Sequence, residues 1–278
     1  DPAVTALANG DFVVTWTSYG QDGSGDGILA QRFAANGSAL GTEWRVNSVT
    51  SGDQYRSSTA ALADGGFVVV WTGGDGFGGG ISGQRYSASG VAVGGEFAIN
   101  SPQADSTYLP SVAALSGGGF VVTWISWGQD GDGEGVFAQR FDAAGAQAGA
   151  ELQVNSQALS DQYSPRISSL AGGGFVIVWT SWDQDGDGEG IFAQIFDATG
   201  NRLGGEFQVN TQFVDDQYKP SVSSLGDGGF IVTWASDNGT GSDIHAQRYS
   251  AAGSAIDAEF SVGTNNAPYA QWQPSVVS

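Results

Sequence analysis

A five-residue motif, rich in valine and ending in tryptophan, recurs five times along the 278-residue chain. It reads FVVTW at 12–16, FVVVW at 67–71, FVVTW at 120–124, FVIVW at 175–179 and FIVTW at 230–234. Successive tryptophans of the motif are separated by 55, 53, 55 and 55 residues. A fixed period of this kind is the signature of a repeat architecture, so the fold of one unit must be built five times.

Other positions keep the same register. They are the glutamines Gln31, Gln84, Gln139, Gln194 and Gln247, the glutamates Glu43, Glu96, Glu151, Glu206 and Glu259, and the aromatics Tyr55, Tyr108, Tyr163, Tyr218 and Trp272. The repeat units are therefore 1–55, 56–108, 109–163, 164–218 and 219–272. Residues 273–278 repeat the start of a unit, as the first strand of a further repeat or as a strand that closes the ring.

Each unit has the pattern of four β-strands. In the third unit we predict strands at 110–115, 120–126, 136–141 and 151–155, separated by glycine-containing turns. Both faces of the FVVTW strand are mostly apolar, as expected for a sheet packed between two other sheets. Four strands per unit of this length predict a propeller blade. We therefore predict an all-β fold, a single β-propeller domain of five four-stranded blades. The alternatives are a fragment of a larger propeller and a linear array of β-repeats.

Charge and composition exclude several classes of function. The chain has 9 Lys and Arg against 29 Asp and Glu, a net charge of −20. This charge argues against nucleic-acid binding, which depends on cationic contacts to phosphate, and against docking on an anionic membrane. No apolar segment is long enough for a membrane helix. Cysteine is absent and His245 is the sole histidine, so cysteine nucleophiles are excluded and a serine triad is nearly so.

Three units carry an acidic, glycine-rich segment between the second and third strands, in which oxygen-bearing side chains alternate with glycine. These side chains are Asp22, Ser24, Asp26, Asp130, Asp132, Glu134, Asp185, Asp187 and Glu189. Calcium prefers six to eight oxygen ligands, and alternating glycines let a loop curl around an ion. We predict up to three calcium sites here. The alternative is a polar rim that only keeps the protein in solution.

Aromatic residues precede the same segments, at Tyr19, Trp127 and Trp182. An exposed aromatic ring beside polar groups is suited to stack against a sugar, so we predict that these residues bind ligand. The alternative is that each ring packs across a neighbouring loop. The recurring glutamines are predicted to be buried and bonded to the backbone, and the recurring arginines to pair with a carboxylate such as Glu151.

The repeat GGFVVTWxSxxQDGxGxGIxAQRFxAxG…GxEFxVN resembles repeats of large secreted bacterial adhesins and hemolysin-type calcium-binding proteins. The resemblance covers essentially the whole chain. It implies a secreted or surface-attached module that binds calcium and has an adhesive or structural role. The nonapeptide GGxGxDxUx array of true repeats-in-toxin segments is absent, so a calcium β-roll is not implied.

These features together predict a non-enzymatic extracellular module that recognises glycans or proteins at a cell surface. One alternative is a subunit of an extracellular filament or surface layer that self-associates through its terminal strand. A second is a propeller glycosidase, which needs two carboxylates. Its acidic residues should depart from the repeat, whereas the non-repeating Asp215 and Asp257 are scattered along the sequence. We therefore expect no enzymatic activity.

Overall fold

The protein consists of β-strands and turns throughout the part that the computed structural model describes, residues 2–73, 79–101, 106–237, 239, 241–263 and 271–277. The strands in chain order are β1 Ala3–Ala6, β2 Phe12–Tyr19, β3 Asp26–Phe33, β4 Ala39–Arg45, β5 Tyr55–Ala61, β6 Phe67–Thr72, β7 Ile81–Tyr86, β8 Ala92–Ala98, β9 Thr107–Ala114, β10 Phe120–Trp127, β11 Glu134–Phe141, β12 Leu152–Gln153, β13 Gln162–Ser169, β14 Phe175–Trp182, β15 Glu189–Phe196, β16 Phe207–Gln208, β17 Gln217–Ser224, β18 Phe230–Asp237, β19 Ser242–Tyr249 and β20 Ala255–Ser261.

The strands form five four-stranded sheets, each with its strands in chain order. We number them blade 1 (β1–β4), blade 2 (β5–β8), blade 3 (β9–β12), blade 4 (β13–β16) and blade 5 (β17–β20). This arrangement confirms the all-β prediction of five four-stranded blades. In the third unit, the predicted fourth strand shortens to Leu152–Gln153 because the Asn155 side chain, rather than a continued strand, accepts the Val136 N–H at 2.9 Å.

The second strand of each blade carries much of the core. In blade 4, Phe175 to Trp182 is buried at every position except the last. An aromatic at its start stacks on one at the end of the third strand, in every blade. The pairs are Phe12 with Phe33, Phe67 with Tyr86, Phe120 with Phe141, Phe175 with Phe196, and Phe230 with Tyr249. This recurring pair fixes the register of the second and third strands.

Glycine is required at the turn between the first two strands. Gly118 has a φ of 94°, in the left-handed region where side chains are strained. A Cβ on Gly119 would lie 2.1 Å from the carbonyl oxygen of Phe141. Glycine at Gly118 and Gly119 of this turn therefore follows from backbone geometry.

The chain divides into two compact units. The first comprises Asp1–Trp127 and Ala138–Glu151, and the second comprises Gly128–Phe137 and Leu152–Ser278. In the first unit, the core joins blades 1 and 2 through residues such as Val13, Ile28 and Trp71. In the second, the core joins blades 4 and 5 through residues such as Val178, Ile191 and Trp234. No helix long and apolar enough to cross a membrane occurs in the described residues.

Candidate functional site

The recurring glutamate on the last strand ties that strand to the connection leading into the same blade. Glu259 accepts hydrogen bonds from the backbone N–H and hydroxyl of Thr211, both at 2.7 Å. Glu206 contacts Ser156 in the same way, at 2.6 and 2.9 Å. One carboxylate oxygen of each glutamate is used by this contact. The other oxygen can contact a different group in each blade.

Three of the recurring arginines do not supply that group. Arg32, Arg85 and Arg248 form ion pairs with aspartates of the first hairpin of their own blade, at 3.1, 2.9 and 2.9 Å. Glu151 accepts a hydrogen bond from the Ser101 N–H at 3.0 Å. The predicted pairing of arginine with this glutamate is therefore wrong for these three arginines. Gln139 is buried and donates to the Arg140 and Gly149 carbonyls, as predicted.

In two blades, the acidic segment covers the second oxygen of the recurring glutamate. Gln21 donates to Glu43 in blade 1, and Gln184 donates to Glu206 in blade 4. Both glutamines directly precede the acidic residues for which we predicted calcium. The segment therefore closes the end of the blade above the glutamate.

Several of the predicted calcium side chains accept hydrogen bonds from nearby groups of the protein. In the first segment, Asp22 accepts from the Ser24 N–H and from Asn47, both at 3.0 Å, and Asp26 begins β3. In the third, Asp130 accepts from Asn155 at 2.7 Å. The remaining contacts are Ser160 N–H to Asp132 at 3.2 Å, Asn210 to Asp185 at 3.3 Å, Asp215 N–H to Asp187 at 3.3 Å, and Tyr163 hydroxyl to Glu189.

A further carboxylate lies beside each segment, and the sequence reasoning missed it. Asp53, Asp161 and Asp216 accept the backbone N–H groups of Asp26, Glu134 and Glu189, at 3.0, 2.9 and 3.1 Å. A signal was present in the sequence. An Asp-Gln-Tyr string ends the three units that carry the acidic segment and is absent from the ends of the other two.

The half-buried carboxyl of Glu189 lies among these groups. Burial raises its pKa, the Tyr163 hydroxyl hydrogen bond lowers it, and the nearby Asp216 raises it, so that the net pKa lies above its ordinary value. Burial, together with the Glu189 contact, raises the pKa of Tyr163 as well. Glu189 is thus held by a phenol rather than aimed at an open site.

No group of three or more His, Asp or Glu side chains is arranged to hold a metal within the described residues. Calcium binding therefore stays a prediction. After exhaustive chelation, we expect added calcium to raise the melting temperature by several degrees, because a ligand of the native state stabilises it. The variant D130N/D132N/D185N/D187N should lose this rise. An unchanged melting temperature at millimolar calcium would contradict the prediction.

The three predicted ligand-binding aromatics are exposed. Tyr19, Trp127 and Trp182 end their strands with 85%, 51% and 47% of their surface accessible. They belong to the three blades with the acidic segment, and the equivalent residue of blade 5 is Asp237.

Blade 5 has a different end. Its segment is short and lacks the glutamine that closes blades 1 and 4, and a cavity of about 560 Å³ lies there. We call this the blade-5 cavity; its lining is Thr211, Gln212, Val214, Asp215, Ser236, Asp237, Asp243, His245, Ala258, Glu259 and Ser261.

Three residues of the blade-5 cavity depart from the repeat. Asp237 replaces an aromatic, Asp243 replaces a glycine found in the other four units, and His245 replaces leucine, phenylalanine or serine. Asp243 and His245 are two residues apart on β19 and therefore share a face. Asp215, which looked scattered in the sequence, lines the same cavity, whereas Asp257 does not.

His245 takes the place of the covering glutamine. Its Nδ1 lies 2.7 Å from Oε1 of Glu259, and the two side chains are 22% and 7% exposed. Burial acts to raise the pKa of Glu259, but hydrogen bonds from His245 and Thr211 outweigh it, so this pKa lies below its ordinary value. Glu259 is therefore ionised and accepts the Nδ1 proton. Its contact fixes the tautomer of the imidazole and leaves Nε2 to accept a proton.

The lowered pKa of Glu259 predicts how its contribution to stability depends on pH. A carboxyl with a depressed folded pKa stabilises the fold above its unfolded pKa, and this stabilisation is lost as the pH falls through the folded pKa. We therefore expect the wild-type protein to have a higher melting temperature than E259Q near neutral pH. The difference between the two melting temperatures should narrow as the pH falls from about 5 to about 3. Melting curves of both proteins across this range test it. A gap that widens on acidification would refute the assigned direction.

Solved structures share this fold across nearly the whole chain. An α-L-arabinanase of Penicillium chrysogenum, solved with arabinobiose, has a TM-score of 0.66 at 13% identity, covering 99% of this chain and 83% of its own. An α-L-arabinofuranosidase of Fusarium graminearum has a TM-score of 0.63 at 12% identity, covering 99% of this chain and 82% of its own. A polysaccharide lyase, an ulvan lyase, has a TM-score of 0.63 at 9% identity, covering 93% of this chain and 69% of its own. No protein-family model and no curated protein matches the chain.

These likenesses establish the fold as a five-bladed β-propeller. They also correct the expectation of a non-enzymatic binding or structural module, because the proteins that share the fold are enzymes that act on carbohydrates. The expectation rested on acidic residues that depart from the repeat and look scattered in the sequence. One of these, Asp215, lines the same cavity as Asp237 and Asp243, because folding brings separate segments together.

Proposed function

We propose that this protein is a β-propeller glycoside hydrolase and that the blade-5 cavity is its active site. One observation carries the proposal: Asp237, Asp243 and His245, which depart from the repeat, line one cavity with an ionised Glu259. Residues that only maintain a blade follow the repeat, so departures that converge on one cavity indicate a function specific to that blade. Its volume is within the usual range for small-molecule sites, about 300–1,000 Å³.

The side chains of the cavity suit glycosidic bond cleavage. This reaction requires a proton donor to the leaving oxygen and a carboxylate that stabilises the developing positive charge on the sugar or activates water. We assign proton transfer to His245, oriented by Glu259. Asp237 and Asp243 are the carboxylates that face the substrate. Because Nδ1 is held by Glu259, Nε2 is the ring nitrogen left to exchange a proton with the leaving oxygen.

The charge of the cavity favours a neutral polysaccharide. Among its described lining residues are four carboxylates and no lysine or arginine. A uronic acid would bring a further negative charge close to these groups, and that repulsion would oppose binding. A lyase acting on uronates is disfavoured for the same reason.

The proposal is tested by incubating the protein with linear arabinan, xylan and, as an acidic comparison, a polyuronate. We expect new reducing ends from at least one neutral polysaccharide and none from the polyuronate. Unsaturated products, detected by their ultraviolet absorbance, would instead indicate a lyase. Absence of cleavage of every neutral polysaccharide offered would count against a hydrolase.

Three further properties belong to this proposal. The exposed Tyr19, Trp127 and Trp182 would bind the polysaccharide outside the cavity, since a sugar ring stacks on an exposed aromatic. Secretion or surface attachment, which the repeat resemblance implies, would place the enzyme where polysaccharides are found. Calcium in the acidic segments would stabilise the blades that carry these aromatics.

A further inference from the structure

Blade 2 has a cavity at the position of the blade-5 cavity. These are the two blades that lack the full acidic segment. The second cavity has a volume of about 430 Å³, and we call it the blade-2 cavity. Its wall includes Val49, Gln54, Trp71, Gly80, Ser82 and Glu96. Residues 74–78 lie outside the described residues.

Several residues of its wall occupy the same repeat positions as residues of the blade-5 cavity. Glu96 occupies the place of Glu259 and makes the same contact, accepting the N–H and hydroxyl of Ser48 at 2.7 and 2.6 Å. Ser82 stands where blade 5 has His245, and Gly80 stands where it has Asp243. Gly74 stands where blade 5 has Asp237. The contact of the glutamate is thus retained, while the imidazole and both facing carboxylates are missing.

Unused hydrogen-bonding groups remain on its wall. Oε1 of Glu96 has no hydrogen-bond partner among the described residues, and neither has the indole Nε1 of Trp71. That nitrogen points toward Gly73, lying 3.6 Å from where a Cβ would stand, and Gly73 lines the cavity. The Glu96 carboxylate and the Ser82 hydroxyl are groups that recognise sugar hydroxyls. Trp71 is fully buried, and its unpaired indole is shared by Trp124, Trp179 and Trp234.

We propose that the blade-2 cavity is a second, non-catalytic binding site for a neutral sugar unit. The class of ligand rests on the proposed function, whereas the existence of the site rests on the cavity and its free polar groups. The site would bind a sugar unit without taking part in the chemical step.

The test uses S82F and H245F, because phenylalanine is the residue of blades 3 and 4 at this position and should fill each cavity without unfolding its blade. Arabinobiose and xylobiose are titrated against wild type, S82F, H245F and the double variant. Assigned indole N–H resonances report the binding, with Trp71 for blade 2 and Trp234 for blade 5, whose ring lies 6.1 Å from His245. Melting curves check folding, and E96Q serves as a second, smaller change.

We expect ligand-induced shifts at both tryptophans in wild type. S82F should lose the Trp71 shift, E96Q should weaken binding at this site at least about tenfold, and cleavage of short oligosaccharides should be unchanged in both. A shift at Trp234 with cleavage, but none at Trp71, would overturn the second site and leave the proposed function intact. A shift at Trp71 without any cleavage would support the second site and overturn the proposed function. Absence of both shifts with either sugar would refute both.

Discussion

H245F is expected to lower the catalytic efficiency of polysaccharide cleavage by about 10²–10⁴-fold, the range attributed to a proton-transferring side chain. The imidazole is the sole histidine side chain of the protein, and its Nδ1 is held by Glu259 at 2.7 Å. Phenylalanine keeps an aromatic ring at this position and cannot transfer a proton. Initial rates of reducing-end release from the preferred neutral polysaccharide measure the effect.

A matched pair of glutamate variants separates catalysis from folding. E259Q and E206Q alter the same repeat position, and both residues make the same two contacts to the connection before their blade. Glu206 is covered by Gln184, whereas Glu259 orients His245. We expect E259Q to lose activity and E206Q to retain it at a similar melting temperature.

Equal activity of H245F and wild type would place the active site outside the blade-5 cavity.

N155A is expected to reduce the free energy of unfolding by at least about 3 kcal/mol, because each buried polar group left without a partner costs about 1–3 kcal/mol. Asn155 is 1% exposed. It accepts the Val136 N–H at 2.9 Å and donates to Asp130, Gln157 and Gln162 at 2.7, 2.9 and 2.8 Å. Alanine removes all of these bonds at once.

Urea unfolding, followed by tryptophan fluorescence, measures this loss as a lower midpoint. The control is N36A, at an exposed turn where the side chain accepts only the Ser38 N–H at 3.0 Å. We expect this control to cost less than about 1 kcal/mol. A midpoint for N155A equal to that of N36A would show that the buried asparagine does not hold the blade end together.

Much of the fold could be predicted from sequence because its causes are local. The short apolar run of FVVTW and the glycines of the first turn determine strand, turn and register within a single hairpin. Repetition of the unit then sets the number of blades. The boundaries were less accurate where a side chain replaces a backbone bond, as at Asn155 and Val136.

The candidate site could be predicted only in part. The acidic segments were correctly recognised as a special feature of three units. Their carboxylates, however, are bonded to Asn47, Asn155 and Asn210 rather than gathered around one point. The co-occurrence of the Asp-Gln-Tyr string with these segments was visible in the sequence. It would have identified Asp53, Asp161 and Asp216 as contacts of the segments.

The sequence by itself determined the five repeats, the four strands of each and the glycine-dependent turns. Only the tertiary structure decided where a ligand can enter. His245 meets a glutamate 14 residues away, and that glutamate meets a threonine 48 residues away. The covering glutamine is missing where the segment is short. Strand formation depends on neighbours along the chain, whereas a cavity depends on groups that folding brings together and on the space that absent side chains leave between them.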